Sequence, residues 1–157
     1  MSVKAISRTI AGAPDYETGT WTPVLEGTTV AGTHTYANQG GTYVRIGNLV
    51  WATGIVALSA FDPTTSGNML ITGLPFVQSG GSHNSSGVSI GRFRNISLNV
   101  SGGFYFPFLT LPGGVSYIQL NQAGDNVVEA GIAATDMTND SAMRLTATYV
   151  TGTESVG

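Results

Sequence analysis

The chain has 157 residues, a net charge of −3 from six basic and nine acidic side chains, and no cysteine. This length suits one domain with its own core, and the lack of thiols excludes disulfides, thiolate metal sites and thiol nucleophiles. Only 10% of the residues are charged, against about a quarter in an ordinary globular chain. The basic residues are scattered and do not form the cluster that nucleic-acid binding needs, so we expect no nucleic-acid partner.

The beginning of the chain differs from the rest. Residues 1–13 show no alternation of apolar and polar residues and lead into Pro14, so we predict an extended arm over 1–13 and one domain over 14–157. No hydrophobic segment follows the charged start, which argues against a signal peptide. No apolar run approaches the roughly 20 residues of a membrane helix, so we expect no membrane insertion.

Period-two alternation predicts an all-β fold. In 142–150 the side chains of Met143, Leu145, Ala147 and Tyr149 share one face, and 42–46 alternates in the same way. Turn residues such as Gly47-Asn48 recur about every eight to twelve residues, a spacing typical of sandwiches and barrels. We predict an antiparallel β-sandwich of jelly-roll type, with at most one helical turn near 135–141.

Two stretches are apolar on both faces, 49–58 and 104–111. Pro107 interrupts the second stretch and predicts an edge strand or two short pieces. A strand that is apolar on both sides is either central or has one face against another chain. Two such strands are more than one small sandwich uses, so we predict an oligomer.

Three segments carry a resemblance to a known family. They read DYETGTWTP over 15–23, GTYVRIGNLV over 41–50 and GNMLITGLPF over 67–76. In this order they resemble the module "DYE-x-GTWTP … G-x-Y-x-[KR]-IG … I-x-GLPF" found at the ends of bacteriophage tail fibres and in related virion proteins. The resemblance implies a β-sandwich that is often trimeric and belongs to the virion. It implies no activity, and we interpret Trp21, Leu74 and Phe76 as packing residues.

Three functions are compatible with this resemblance. The first is a tail-fibre or receptor-binding module that contacts saccharide on the host surface. The second is a capsid or tail decoration or adaptor protein, attached to other virion proteins by its N-terminal arm. A polysaccharide depolymerase is third, because neither Asp125/Glu129 nor Asp136/Asp140 shows the convergence that glycoside hydrolysis needs. We therefore predict a non-enzymatic virion protein, made in the bacterial cytoplasm and working as a homotrimer without a cofactor or metal.

The candidate ligand residues lie in one half of the chain. The polar loop 78–86 offers His83 and Asn84 as hydrogen-bonding groups. Arg92 and Arg94 would share one face of an extended strand with Phe93 opposite, and such a pair could hold the carboxylate of an acidic glycan. The alternative for the two arginines is an ordinary ion-paired strand face or a contact between subunits.

Overall fold

The computed structural model describes residues 15–81 and 86–152, and the predicted all-β fold is confirmed for them. Beside two 3-10 turns at Val100–Gly102 and Ala134–Asp136, these residues form ten strands. The strands are β1 (Tyr16–Trp21), β2 (Val24–Gly27), β3 (Thr35–Ile46), β4 (Leu49–Ala60), β5 (Met69–Thr72), β6 (Ser86–Ile96), β7 (Phe104–Leu111), β8 (Ile118–Gly124), β9 (Ala130–Gly131) and β10 (Met137–Val150). The predicted arm, 1–13, lies outside the described residues.

The helical turn is shorter and earlier than predicted. It covers only Ala134–Asp136, and β10 already begins at Met137, where the backbone pairs with Ile96 of β6. The residues 137–141, which the sequence assigned to a turn, are therefore strand. Pairing to a strand some 40 residues away in the sequence overrides the local turn preference of the Asn and Asp side chains there.

The strands form one antiparallel sheet that curls on itself. Its order is β1-β3-β4-β10-β6-β7-β8-β5-β2, with β9 added to β8. The end strands β1 and β2 are separated in sequence only by Thr22 and Pro23, so the two ends of the sheet must meet. Two hydrogen bonds connect this end of the sheet to β3. The Leu25 amide of β2 donates to the Tyr36 hydroxyl, and the Gln39 side chain donates to the carbonyl of Pro23, the residue before β2. The predicted sandwich is thus one sheet whose halves enclose the core.

The core follows the alternation of the central strands. On β10 the predicted face is confirmed, since Met143, Leu145, Ala147 and Tyr149 are all at most 3% exposed. The side chains of β4 at 50, 52, 56 and 58 are buried against them. From the other half of the curled sheet come Leu25, Met69, Ile71, Leu111, Ile118 and Leu120. No helix in the described residues is long and apolar enough to cross a membrane.

The three sequence motifs meet on the inner face beside β1. Tyr43 donates its hydroxyl to Glu17 Oε1 at 2.7 Å, its ring lies over Gly19, and it packs edge-on against Phe76 with 5.3 Å between the ring centroids. The guanidinium of Arg45 lies 4.8 Å from the centre of the Phe76 ring and 3.9 Å from Glu17. The motif residues therefore hold the three segments together, which agrees with the packing role predicted for Phe76.

Trp21 and Leu74 also have the packing roles that the sequence indicates. Trp21 is 6% exposed, and its indole N–H donates to the Thr53 carbonyl at 2.8 Å. Leu74 is 7% exposed and follows Gly73, whose positive φ of 90° turns the chain after β5. The two-residue turn at Gly47–Asn48 joins β3 to β4 as predicted.

The two doubly apolar strands each leave apolar side chains exposed. On β4, Leu49 and Trp51 are each 46% exposed, and on β7, Phe106 is 65% exposed. β7 pairs with β6 only through its last three residues, so Pro107 lies where the edge of β7 toward β6 is open. This placement explains how a residue without an N–H fits the strand, and it confirms the predicted edge position for the first half of β7.

Candidate ligand-binding groove

A groove of about 380 Å³ opens on the outward face of the sheet, across β3, β4, β10 and the bulge in β6. It is lined by Gly40, Gly41, Thr42, Thr53, Gly54, Ile55, Gly91, Arg144, Leu145 and Thr146. Antiparallel pairing places one row of residues across it, in the order Gly40, Ile55, Arg144 and Arg92. We call these lining residues together with Arg92 the arginine groove.

Glycines form the base of the groove, and the indole of Trp21 explains why two of these positions have no side chain. A Cβ atom on Gly41 would lie 2.3 Å from the indole Nε1 of Trp21, and one on Gly54 would lie 2.7 Å from its Cζ2. Both positions face the inner side, where the indole fills the space that their side chains would occupy. Gly40 faces outward, and a Cβ there would meet no atom within 4 Å. The sheet is therefore thin at this point, and Gly40 leaves the groove open to solvent.

Two arginines face each other at the end of this row. Arg92 on β6 and Arg144 on β10 are cross-strand partners, and both are exposed. Directly opposed side chains have Cβ atoms about 5 Å apart, and two like charges in this arrangement repel. Among the described residues, neither arginine has an ion pair or a hydrogen bond that would compensate this repulsion. An anion bound between them would do so.

Arg94 is held differently. Its Nη2 donates to the backbone carbonyl of Asp140 at 2.9 Å. The Asp140 carboxyl has a pKa below its ordinary value, because it accepts a hydrogen bond from Thr138 and, in addition, one from Asn95, with the charge of Arg94 nearby. Arg94 is therefore committed to the start of β10, while Arg92 remains available to a ligand.

The predicted site residues have different outcomes. Arg92 and Arg94 lie on the strand β6, and Phe93 points the other way, as predicted. Phe93 also packs against the core. His83 and Asn84 lie outside the described residues. Ser86, the first described residue after them, is about 20 Å along β6 from Arg92, at roughly 3.4 Å per residue. The sequence missed Arg144 as a partner of Arg92, because only the pairing of β6 with β10 brings the two together.

The groove offers groups that suit a sugar ring with an acidic substituent. The hydroxyls of Thr42 and Thr53 lie 3.1 Å apart on neighbouring strands, and the hydroxyl of Thr146 is in the next strand along. Ile55 provides an apolar surface beside them. A guanidinium binds a carboxylate through two parallel hydrogen bonds, so Arg144 with Arg92 is suited to the acidic group.

None of Asp125, Glu129, Asp136 and Asp140 lines the arginine groove. Asp136 accepts a hydrogen bond from the Ala133 amide at 2.9 Å, and Asp140 holds the Thr138 and Asn95 side chains. Asp125 lies in the exposed turn after β8, and Glu129 is exposed before β9. Within 15–81 and 86–152, no three His, Asp or Glu side chains are grouped in a way that could hold a metal ion.

Comparison with known proteins gives one structural likeness. No protein-family model matches the chain. No curated protein matches its sequence. Among solved structures, the crystal structure of the Dettilon tailspike protein (gp208) is similar, with a TM-score of 0.68 and 23% sequence identity. The similarity covers 86% of this chain and 24% of that chain, so the chain spans about a quarter of that tailspike. The present chain therefore shares the fold of one part of a phage tailspike protein.

Proposed function

We propose that this protein is a bacteriophage virion structural protein of the tail-fibre or tailspike type, and that it works as a receptor-binding module on the host surface. The observation that carries the proposal is the likeness to part of a tailspike over 86% of the chain. The order of the three motifs, whose residues hold β1, β3 and the segment after β5 together, supports the same assignment. The module acts as a homotrimer and has no catalytic role.

The arginine groove is the proposed contact with the host. Its ligand is a surface saccharide that carries a carboxylate, with Arg144 and Arg92 on the acidic group and the hydroxyls of Thr42, Thr53 and Thr146 on the ring hydroxyls. Hydrogen bonds to a charged group are worth about 1.5–3 kcal/mol each. Loss of one such arginine should therefore weaken binding by roughly 10- to 100-fold.

The test is binding of the purified protein to host cells and to an array of neutral and acidic glycans. Arg92→Ala and Arg144→Ala should each weaken binding, while Arg94→Ala, which removes the same charge beside the groove, should keep most of it. Because the contact is ionic and exposed, binding should also fall as salt rises. Equal binding by all four proteins would remove the groove from the proposal.

No binding to cells or glycans by the unmodified protein would favour a different function, that of a capsid or tail decoration or adaptor protein. In either function we propose that residues 1–13 attach the domain to other virion proteins. Deletion of 1–13 should leave the far-UV spectrum and the melting temperature unchanged and should abolish incorporation into particles. Unfolding on deletion would instead show that these residues belong to the domain.

A further inference from the structure

The outward face of the sheet carries a second surface, at the opposite end of the strands from the arginine groove. Cross-strand pairing aligns Tyr16, Ile46, Leu49 and Val150 in one row over β1, β3, β4 and β10. The next row is Thr18, Val44, Trp51 and Thr148. We call the apolar members of these rows, which are Tyr16, Val44, Ile46, Leu49, Trp51 and Val150, the apolar patch.

Five of the six residues of the apolar patch are exposed, and Val44 is half-buried. Tyr16, Ile46, Leu49 and Trp51 are between 45% and 47% exposed, and Val150 is 37% exposed. Six more large apolar residues in the described part of the chain are exposed, and none of them belongs to these rows. A continuous apolar surface on a sheet face costs free energy in water and marks a site of association.

We propose that a second copy of this chain covers the apolar patch, so that the patch is the interface between subunits. This inference rests on the homotrimer in the proposed function and identifies the surface that forms it. The two rows contain no charged side chain. In a trimer, residues beside the three-fold axis meet their equivalents in the neighbouring copies, while the rest of each interface joins two different surfaces. A surface without charge is compatible with its own copy, whereas the arginine row at the other end of the face would repel one.

The two apolar rows supply part of an interface of ordinary size. Four strands about 4.8 Å apart give a width of roughly 20 Å, and two rows about 6.8 Å apart give a length of roughly 14 Å. The third row consists of Thr20, Thr42, Thr53 and Thr146, of which the last three line the arginine groove and are left to the ligand. The apolar patch therefore covers roughly 280 Å² before the relief of its side chains is added, against the about 800 Å² that each partner contributes to a stable complex.

The orientation of β3, whose more apolar face is turned outward, also supports this interface. Tyr43 and Arg45 face the core and contact Glu17 and Phe76, which leaves Val44 and Ile46 outside. In a single copy this orientation leaves Ile46 exposed and Val44 half-buried, while the side chain of Arg45 is only 17% exposed. It is favourable as a whole when a partner removes Val44 and Ile46 from water.

The experiment compares Leu49→Glu with Val128→Glu by light scattering at micromolar concentration. Val128 is 87% exposed and lies outside the rows, in the loop between β8 and β9, so the same substitution there is the control. We expect the unmodified protein and Val128→Glu to have the mass of several copies, and Leu49→Glu to have the mass of one copy with an unchanged far-UV spectrum. A folded Leu49→Glu protein with the mass of the unmodified protein would overturn the proposal.

A second measurement needs no variant. The chain has two tryptophans, of which Trp21 is buried at 6% exposure and Trp51 is half exposed. If copies cover Trp51, acrylamide should quench little fluorescence in the concentrated protein and more after dilution to the single chain. Strong quenching at every concentration, together with the mass of one chain, would overturn the proposal. Glycan binding by the folded Leu49→Glu variant separates this failure from a failure of the receptor-binding function.

Discussion

Gly54 should not tolerate even a methyl group, because the indole of Trp21 occupies the space on its inner side. An added Cβ would lie 2.7 Å from Cζ2 and 3.2 Å from Cη2 of Trp21, while carbon atoms prefer about 3.5–4.0 Å. The indole cannot retreat freely, since its N–H is bonded to the Thr53 carbonyl at 2.8 Å and Gly41 closes its other edge. The backbone of Gly54 itself does not require glycine, because its φ is not positive.

The magnitude follows from three contributions. Overpacking of this kind costs about 1–3 kcal/mol. A shift of the indole weakens its hydrogen bond and adds about 1 kcal/mol. Replacing glycine with alanine restricts the unfolded chain and returns about 0.4–1 kcal/mol. We therefore expect Gly54→Ala to lower the free energy of unfolding by about 1–3 kcal/mol.

Gly40→Ala is the control, because it adds the same methyl group on the neighbouring strand, where a Cβ would meet no atom within 4 Å. It should leave stability unchanged or raise it by up to about 1 kcal/mol. Urea unfolding followed by circular dichroism measures both, and a shift of the midpoint at constant slope reports stability alone. In a Trp21→Phe background, the effect of Gly54→Ala should shrink, which gives a coupling energy of about 0.5–3 kcal/mol. Equal stability of Gly54→Ala and Gly40→Ala would refute the packing argument.

Three further predictions concern stability. Burial lowers the pKa of His34 below 6.5, and its Nδ1 accepts a hydrogen bond from the Asp62 amide. The contribution of neutral His34 to stability is therefore complete above pH 6.5 and is lost as the pH falls through the folded pKa. His34→Gln should flatten this part of a plot of the urea midpoint against pH. Burial raises the pKa of Tyr43 and of Tyr149 to about 12, so these tyrosines ionise at lower pH in the unfolded chain than in the folded one. Stability should therefore fall between about pH 10 and pH 12. In a pH titration, the absorbance change from ionisation of these two tyrosines should come at higher pH than that of exposed tyrosines. Ile71 is fully buried, and Ile71→Ala should cost about 2–5 kcal/mol in urea unfolding, whereas a loss below 1 kcal/mol would contradict its central position.

The sequence predicts those strands best whose inner face is purely apolar. Alternation in 142–150 identifies the buried side of β10, and the limits predicted for 104–111 coincide with β7. For 42–46, alternation predicts a strand but does not say which face is inner. Here hydropathy alone would favour Val44 and Ile46, yet Tyr43 and Arg45 face the core, because their partners Glu17 and Phe76 come from distant segments.

The arginine groove is less accessible to sequence reasoning, because it depends on register. The predicted sharing of a face by Arg92 and Arg94 needs only the geometry of one strand. The pairing of Arg92 with Arg144 needs the alignment of β6 with β10, which shifts by one residue between Arg144 and Leu145 at a bulge that includes Gly91. Without this shift, the register that pairs Ile90 with Leu145 would place Gly91 opposite Arg144. A single irregular residue therefore decides which side chain joins the groove.

The two surfaces of the outward face explain why this face breaks the rule that polar residues lie outside. Along β4 the outward side chains change from Leu49 and Trp51, through Thr53, to Ile55 at the groove. The distance from the first row to the arginine row is three row spacings, roughly 20 Å. A partner that covers only the first two rows would leave the arginine row in solvent, so the proposed assembly and the proposed ligand binding can use the same face without competing for the same side chains. Departures from local patterning are expected at functional surfaces, and here they lie at the two ends of one face.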